Sequence, residues 1–216
     1  IKMKKLTLLF MTLILFNLSF AAGDTAFTFQ GFSPVSPSVV RSTKRVKALG
    51  KSRVSYPMFF GRNGDVTKNM NKNMEKFISD YKSSRNKIYT VTSEIKGDNS
   101  SFVSVLFTVE EKDTKTGEKI KSYDGISFNV KDGKALKLKD VLVDGFENAL
   151  TDAVNDKFRQ FGLPQVDRFD AVSKKQNFYL ENDSLVLIYN QGEGTNFADG
   201  QVFIPFILTD LIGILR

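Results

Sequence analysis

The 216-residue sequence has no cysteine, no histidine and no tryptophan, and only 5 prolines. Without cysteine there is no disulfide, no thiol nucleophile, no thiolate metal site and no residue to carry a lipid after export. Without histidine the commonest general base is missing, along with the switch that titrates near neutrality and the usual transition-metal ligand. Gly-rich phosphate loops are absent, and so is any nucleic-acid recognition motif. A fold without such staples rests on its apolar core, and 20 phenylalanines supply much of it.

The start of the chain has a purpose separate from the fold. Met3-Lys4-Lys5 leads into an apolar run from Leu6 to Phe16, and Ser19-Phe20-Ala21 offers small residues where a signal peptidase reads. Residues 1–21 are therefore expected to be a signal peptide cleaved after Ala21. The apolar run is short for a permanent span of about 20 residues, so no transmembrane helix is expected after signal removal. The expected location is the periplasm or the extracellular side of the cell envelope. Removing the three lysines of that segment lowers the formal net charge from +7 to +4. Residues 41–87 hold 13 basic and 3 acidic residues, whereas residues 88–216 hold 15 and 20. The basic stretch reads as a solvated face; the anionic partners it would favour are envelope polymers, lipid head groups or nucleic acid. Nucleic acid is not expected as a partner.

Residues 22–45, with Ser33-Pro34-Val35-Ser36-Pro37-Ser38, read as an extended leader. A single domain is expected over 46–216, divided into halves 46–131 and 132–216. A strand from Val54 to Phe60 contains Pro57, which should place it at an edge or divide it. Val66, Met70, Met74, Phe77, Ile78 and Tyr81 fall on one helical face, with Lys and Asn opposite and Asp65 as the N-cap. Ile88–Ile95 and Phe102–Val109 flank Lys96-Gly97-Asp98-Asn99-Ser100, a hairpin signature. Val103, Val105, Phe107, Ile126 and Phe128 should line the buried sheet face, leaving the opposite face wet or lightly covered. Phe146, Leu150, Val154 and Phe158 form a second amphipathic helix, ended by Gly162 and Pro164. Strands around Phe178–Leu180, Leu185–Tyr189 and Val202–Pro205 follow, then a short apolar C-terminal helix. The fold class is α+β: an antiparallel sheet with two main amphipathic helices packed on it, in two intimately joined halves.

Several strand segments occur in a known order. Val54-Ser55-Tyr56-Pro57, Ser101-Phe102-Val103-Ser104-Val105, the run from Ser127 to Leu142, Asn177-Phe178-Tyr179-Leu180 and Phe203-Ile204-Pro205-Phe206 succeed one another over most of the chain. In this the chain resembles the paired bacterial domains of unknown function found in the ectodomain of lysozyme-sensing anti-sigma factors and beside some peptidoglycan deacetylase catalytic domains. The resemblance implies non-covalent binding in the envelope, to cell-wall glycan or to an exported, lysozyme-like protein. Two segments depart from the family pattern, Lys119 to Gly125 and the loop Gly192 to Gly200. The second keeps a Glu and a final Gly.

That loop holds the candidate ligand-binding residues Glu193, Thr195, Asn196, Phe197 and Asp199. Paired carboxylates can perform glycosidic acid–base chemistry when their separation suits it, and Asp183 is close to them in sequence. A Glu between glycines also braces loops through backbone N–H groups, and the ligand spacing of a calcium loop is missing. The expectation is a non-catalytic domain with no metal and no cofactor. The alternative is a peptidoglycan-directed hydrolase or deacetylase using carboxylates. N-terminal sequencing of the exported protein should begin at Ala22; full-length chain held in the inner membrane would refute the leader assignment.

Overall fold

The computed structural model describes residues 40–164 and 172–216. The expected signal peptide, and the leader as far as residue 39, lie outside the described residues. The leader's expected last six residues are instead paired backbone: strand β1 (Val40–Leu49) forms a hairpin with β2 (Ser52–Gly61) along its whole length. Helix α1 (Gly64–Ile78) follows, then a turn of 3₁₀ helix over Ser79–Tyr81. Strands β3 (Lys87–Asp98), β4 (Phe102–Asp113) and β5 (Lys119–Asn129) complete a five-stranded sheet in the order β1-β2-β3-β4-β5. Only β2 and β3 run parallel, and they pair only at Arg53 and Val54.

The expected helix N-cap needs correction. Asn63, not Asp65, accepts the Val66 N–H through its side chain at 3.3 Å. Asp65 sits in the first turn, where a carboxylate favours the positive end of the helix dipole. Pro57 does not divide β2, because its missing N–H falls beyond the two residues that pair with β3. On that free edge Asn71 of α1 replaces a strand: its amide accepts the Phe59 N–H and donates to the Phe59 carbonyl, both at 2.8 Å. Asn69 and Asn73 donate to the carbonyls of Asp132 and Gly133. The polar face of α1 therefore fastens the turn after β5 rather than only meeting water.

Between the sheets come α2 (Leu138–Val141) and α3 (Phe146–Gln160). A three-stranded antiparallel sheet follows, built from β6 (Phe178–Leu180), β7 (Ser184–Tyr189) and β8 (Val202–Ile207). The expected C-terminal helix is a single 3₁₀ turn over Leu208–Leu211. No helix among the described residues is long and apolar enough to cross a membrane.

Alternation of side chains along each strand sorts the core into layers. Val103, Val105, Phe107, Ile126 and Phe128 face α1, where they meet Met70, Met74 and Ile78. Phe59 and Phe128 pack edge to face with ring centroids 5.5 Å apart. Leu185, Leu187 and Tyr189 face α3 and meet Leu150, Val154 and Phe158. A thinner layer of Leu106, Tyr179, Val186 and Ile188 joins the two sheets. The outer face of β4 is therefore not wet. Ser104 and Ser127 are fully buried there, beneath β6.

The contact beneath β6 is one of backbone on backbone. A Cβ at Gly97 would lie 2.6 Å from the Leu180 carbonyl oxygen, and one at Gly125 would lie 2.6 Å from the Phe178 carbonyl carbon. Between them the Leu180 N–H donates to Ser104 Oγ at 2.9 Å, and Ser104 Oγ shares a 2.7 Å hydrogen bond with Ser127 Oγ. Gly125→Ala should cost about 1–3 kcal/mol, because neither backbone can retreat without breaking its ladder. Phe107→Ala, which empties the α1 side of the same sheet, should cost about 3–5 kcal/mol. Chemical denaturation reads both; a loss below about 1 kcal/mol for either would mean that its layer is not close-packed.

Candidate functional site

The loop that the sequence singles out joins β7 to β8, and its carboxylates are engaged. Glu193 Oε2 accepts the Asn190 N–H at 2.9 Å, and the Glu193 N–H closes the same turn on the Asn190 carbonyl. Asp199 Oδ2 accepts the Asn196 N–H at 3.1 Å, ending a 3₁₀ turn over Phe197–Asp199. Each carboxylate thus supplies an acceptor for a donor that loop geometry leaves over. Thr195 is fully buried and offers no surface to a ligand, whereas Glu193, Asn196 and Asp199 are exposed. Asp183 lies at the opposite end of β7, about 20 Å away at strand rise, and accepts from Ser184 Oγ. The structure does not bring it to Glu193. Below the loop, burial and the nearby Glu193 carboxylate push the Tyr189 phenol up.

Glu193 does contribute to something larger. It lines one end of a cleft of about 990 Å³ between the two halves, walled by α1 and β5 on one side and by residues 174–178 and Asn190 on the other. A second lobe of about 780 Å³ adjoins it, sharing Lys76, Phe77, Asp80 and Lys137. Half-buried Phe77 packs on Phe107 with ring centroids 5.2 Å apart and planes tilted by 43°, and it lines both lobes. The helical stripe that reads as core in the sequence is core at Met70 and Met74 and cleft wall at Phe77.

Side-chain amides shape the cleft where it meets the free edge of β5. Asn190 accepts the Tyr123 N–H at 2.7 Å and donates to the Tyr123 carbonyl at 3.1 Å. Asn177 accepts the Gly125 N–H at 2.9 Å and donates to the Tyr123 carbonyl and to Asp124 Oδ1. Gln201 donates to the Lys121 carbonyl at 3.0 Å. Residues 121, 123 and 125 are every second one along the strand, the period at which an edge exposes its hydrogen-bonding groups. Asp124 Oδ2 also accepts the Tyr81 hydroxyl at 2.6 Å, and burial followed by that carboxylate drives the Tyr81 phenol far up.

With the geometry in place, comparison with known proteins bears on one half directly. Residues 139–206 match a family model described as a protein of unknown function, DUF3298. The matched stretch runs from α2 into β8. A solved DUF3298 family structure from Bacteroides fragilis is similar over 85% of this chain and 96% of its own, at 12% identity and a TM-score of 0.58. Another, from Pseudomonas aeruginosa, is similar over 85% of this chain and 95% of its own, at 12% identity and a TM-score of 0.50. Likeness at that identity is likeness of fold. No curated protein matches the chain.

Sequence reasoning found Glu193 but not the cleft it borders. The signal was present in Lys134, Lys137 and Lys139 around a short apolar run, and in the pair Lys174-Lys175. Nothing in the pattern says that those segments meet the end of α1. Asn177→Ala should cost about 1–3 kcal/mol, since it strips a partner from both the Gly125 N–H and the Tyr123 carbonyl. Urea denaturation checks it, and a variant as stable as wild type would show that water replaces the amide.

Proposed function

We propose that this chain is an exported, non-catalytic binding domain of the cell envelope, and that the cleft between its halves holds the ligand. One observation carries the reading: a two-lobed cleft whose walls come from both halves, of the size that ligand sites occupy. The leader at residues 3–21 supports export. The resemblance to ectodomains of lysozyme-sensing anti-sigma factors supports a cell-wall component or an exported, lysozyme-like protein as the partner. The carboxylates that a glycan hydrolase or deacetylase would need are bonded within their own loop turns, which favours binding over turnover.

The test pairs retention with turnover. Purified protein should sediment saturably with peptidoglycan sacculi, or be retained by one exported protein. Release of reducing ends or acetate should stay at background with or without divalent metal, for wild type and for Glu193→Gln alike. Turnover by wild type that disappears in Glu193→Gln would replace this reading with the enzymatic one.

A further inference from the structure

The basic stretch that stands out in the sequence has no part in the cleft. Residues 40–74 carry nine lysines and arginines and one acid, Asp65. Seven of those cations belong to the β1–β2 hairpin and to Arg62 just beyond it, and none of the seven lines either lobe. Only Lys47 has a carboxylate partner, Glu75, which also accepts the Tyr56 hydroxyl at 2.7 Å. Arg41, Lys44, Arg45, Lys51, Arg53 and Arg62 are exposed and make no ion pair among the described residues.

The hairpin turns over along its length, and this decides which apolar side chains are left outside. Directly paired residues of antiparallel strands share a face. Val54, Tyr56, Met58 and Phe60 lie on one face of the hairpin, and Phe59 and Val40 on the other. Before Pro57 the core takes Val54 and Tyr56 from the first face; beyond it, the core takes Phe59 and Val40 from the second. A two-stranded ribbon twists more strongly than a wide sheet, and β2 is released from β3 after Val54. The first face is therefore turned outward at its far end. Met58 and Phe60 are 40% and 47% exposed there, and their cross-strand partners are Thr43 and Arg41. Arg45 lies two positions beyond Thr43 on β1, and Arg62 two positions beyond Phe60.

Exposed apolar side chains scattered singly are ordinary. Two side by side, on a hairpin with seven cations and no carboxylate of its own, are a combination that an anionic bilayer surface accommodates. Guanidinium groups meet the head groups while Phe and Met reach the acyl boundary beneath them. A soluble polyanion would use the charges and leave the apolar pair in water. An apolar protein partner would cover the pair and strip water from the arginines without replacing it. We infer that the far end of the β1–β2 hairpin docks on an anionic lipid surface, with Met58 and Phe60 inserted and Arg41, Arg45 and Arg62 on the head groups. The strip and the cleft share no residue, so a failed lipid test leaves the cleft untouched.

Vesicle flotation tests it, with chains that begin at Ala22 so that the apolar run from Leu6 to Phe16 contributes nothing. Wild type should bind vesicles of phosphatidylglycerol and phosphatidylcholine about ten-fold or more tightly than phosphatidylcholine alone. That affinity should fall as salt is raised. Arg41→Gln/Arg45→Gln/Arg62→Gln and Met58→Ser/Phe60→Ser should each lose about ten-fold or more. A control that removes the same charge, Lys112→Gln/Lys115→Gln/Lys131→Gln at exposed positions in or just after the β4–β5 hairpin, should lose much less. The sequence has no tryptophan, so Phe60→Trp places a single emission probe in the strip. Its fluorescence should shift to the blue on the anionic vesicles and stay unshifted with soluble polyglutamate. Circular dichroism and thermal melts confirm that each variant is folded. Equal losses in the two charge triples, or an unshifted Phe60→Trp on vesicles, would overturn the inference. Vesicle binding that Met58→Ser/Phe60→Ser leaves intact would reduce the strip to a polyanion site and overturn insertion. No vesicle binding, with a dimer in solution that Met58→Ser/Phe60→Ser abolishes, would give the strip to a second copy instead.

Discussion

The two halves are joined where the backbone of β6 lies directly on the backbones of β3 and β5. Side chains normally keep packed sheets about 10 Å apart, and here glycine at positions 97 and 125 removes that spacer. The approach would strand the Leu180 N–H, which faces away from β7, had Ser104 not placed a hydroxyl beneath it. An orphaned buried N–H costs about 1–3 kcal/mol. The two glycines and the serine therefore form one device: the glycines allow the contact, and the hydroxyl removes its polar penalty. The rest of the molecule, including the cleft along the seam, depends on that joint.

A second device recurs along the sheet edges. A strand that loses its neighbour exposes N–H and C=O groups which invite another chain. Here asparagine and glutamine side chains take the neighbour's place, Asn71 on β2 and Asn177, Asn190 and Gln201 on β5. An amide carries both a donor and an acceptor at a spacing close to that of a peptide group, so one residue can satisfy both sides of a strand position. These contacts also tie both α1 and the β7–β8 loop to the first sheet. At Asn177 and Asn190 the same hydrogen bonds protect the edge of β5 and build the wall of the cleft.

Much of the layered order was legible in the sequence, because alternation and helical spacing report burial directly. Val103, Val105, Phe107, Ile126 and Phe128 are buried as that alternation requires, and Phe146, Leu150, Val154 and Phe158 form the apolar stripe of α3. What was illegible is contact between polar groups distant in sequence. Ser104 alternates as an outward residue and is buried because β6 lies 76 positions further on. Asn69, Asn71 and Asn73 read as a solvated helix face until the strand edge and the turn beside them are known. The candidate loop was located through Glu193, but its carboxylate braces a turn. The cleft it borders is assembled from separated segments, the end of α1, β5, residues 134–140 and residues 174–178, brought together only by the fold.

The joint beneath β6 also separates two kinds of boundary. The stretch that matches DUF3298 starts at residue 139 and holds α3 and all three strands of the second sheet. It excludes Gly97, Ser104 and Gly125, the surface against which its first strand is seated, and Tyr123, whose backbone its asparagines complete. A cut at that border would expose Tyr179, Val186 and Ile188, which pack on Leu106 of β4. The stretch that sequence comparison delimits is therefore smaller than the packed unit, and strands β3 to β5 supply the surface that covers it.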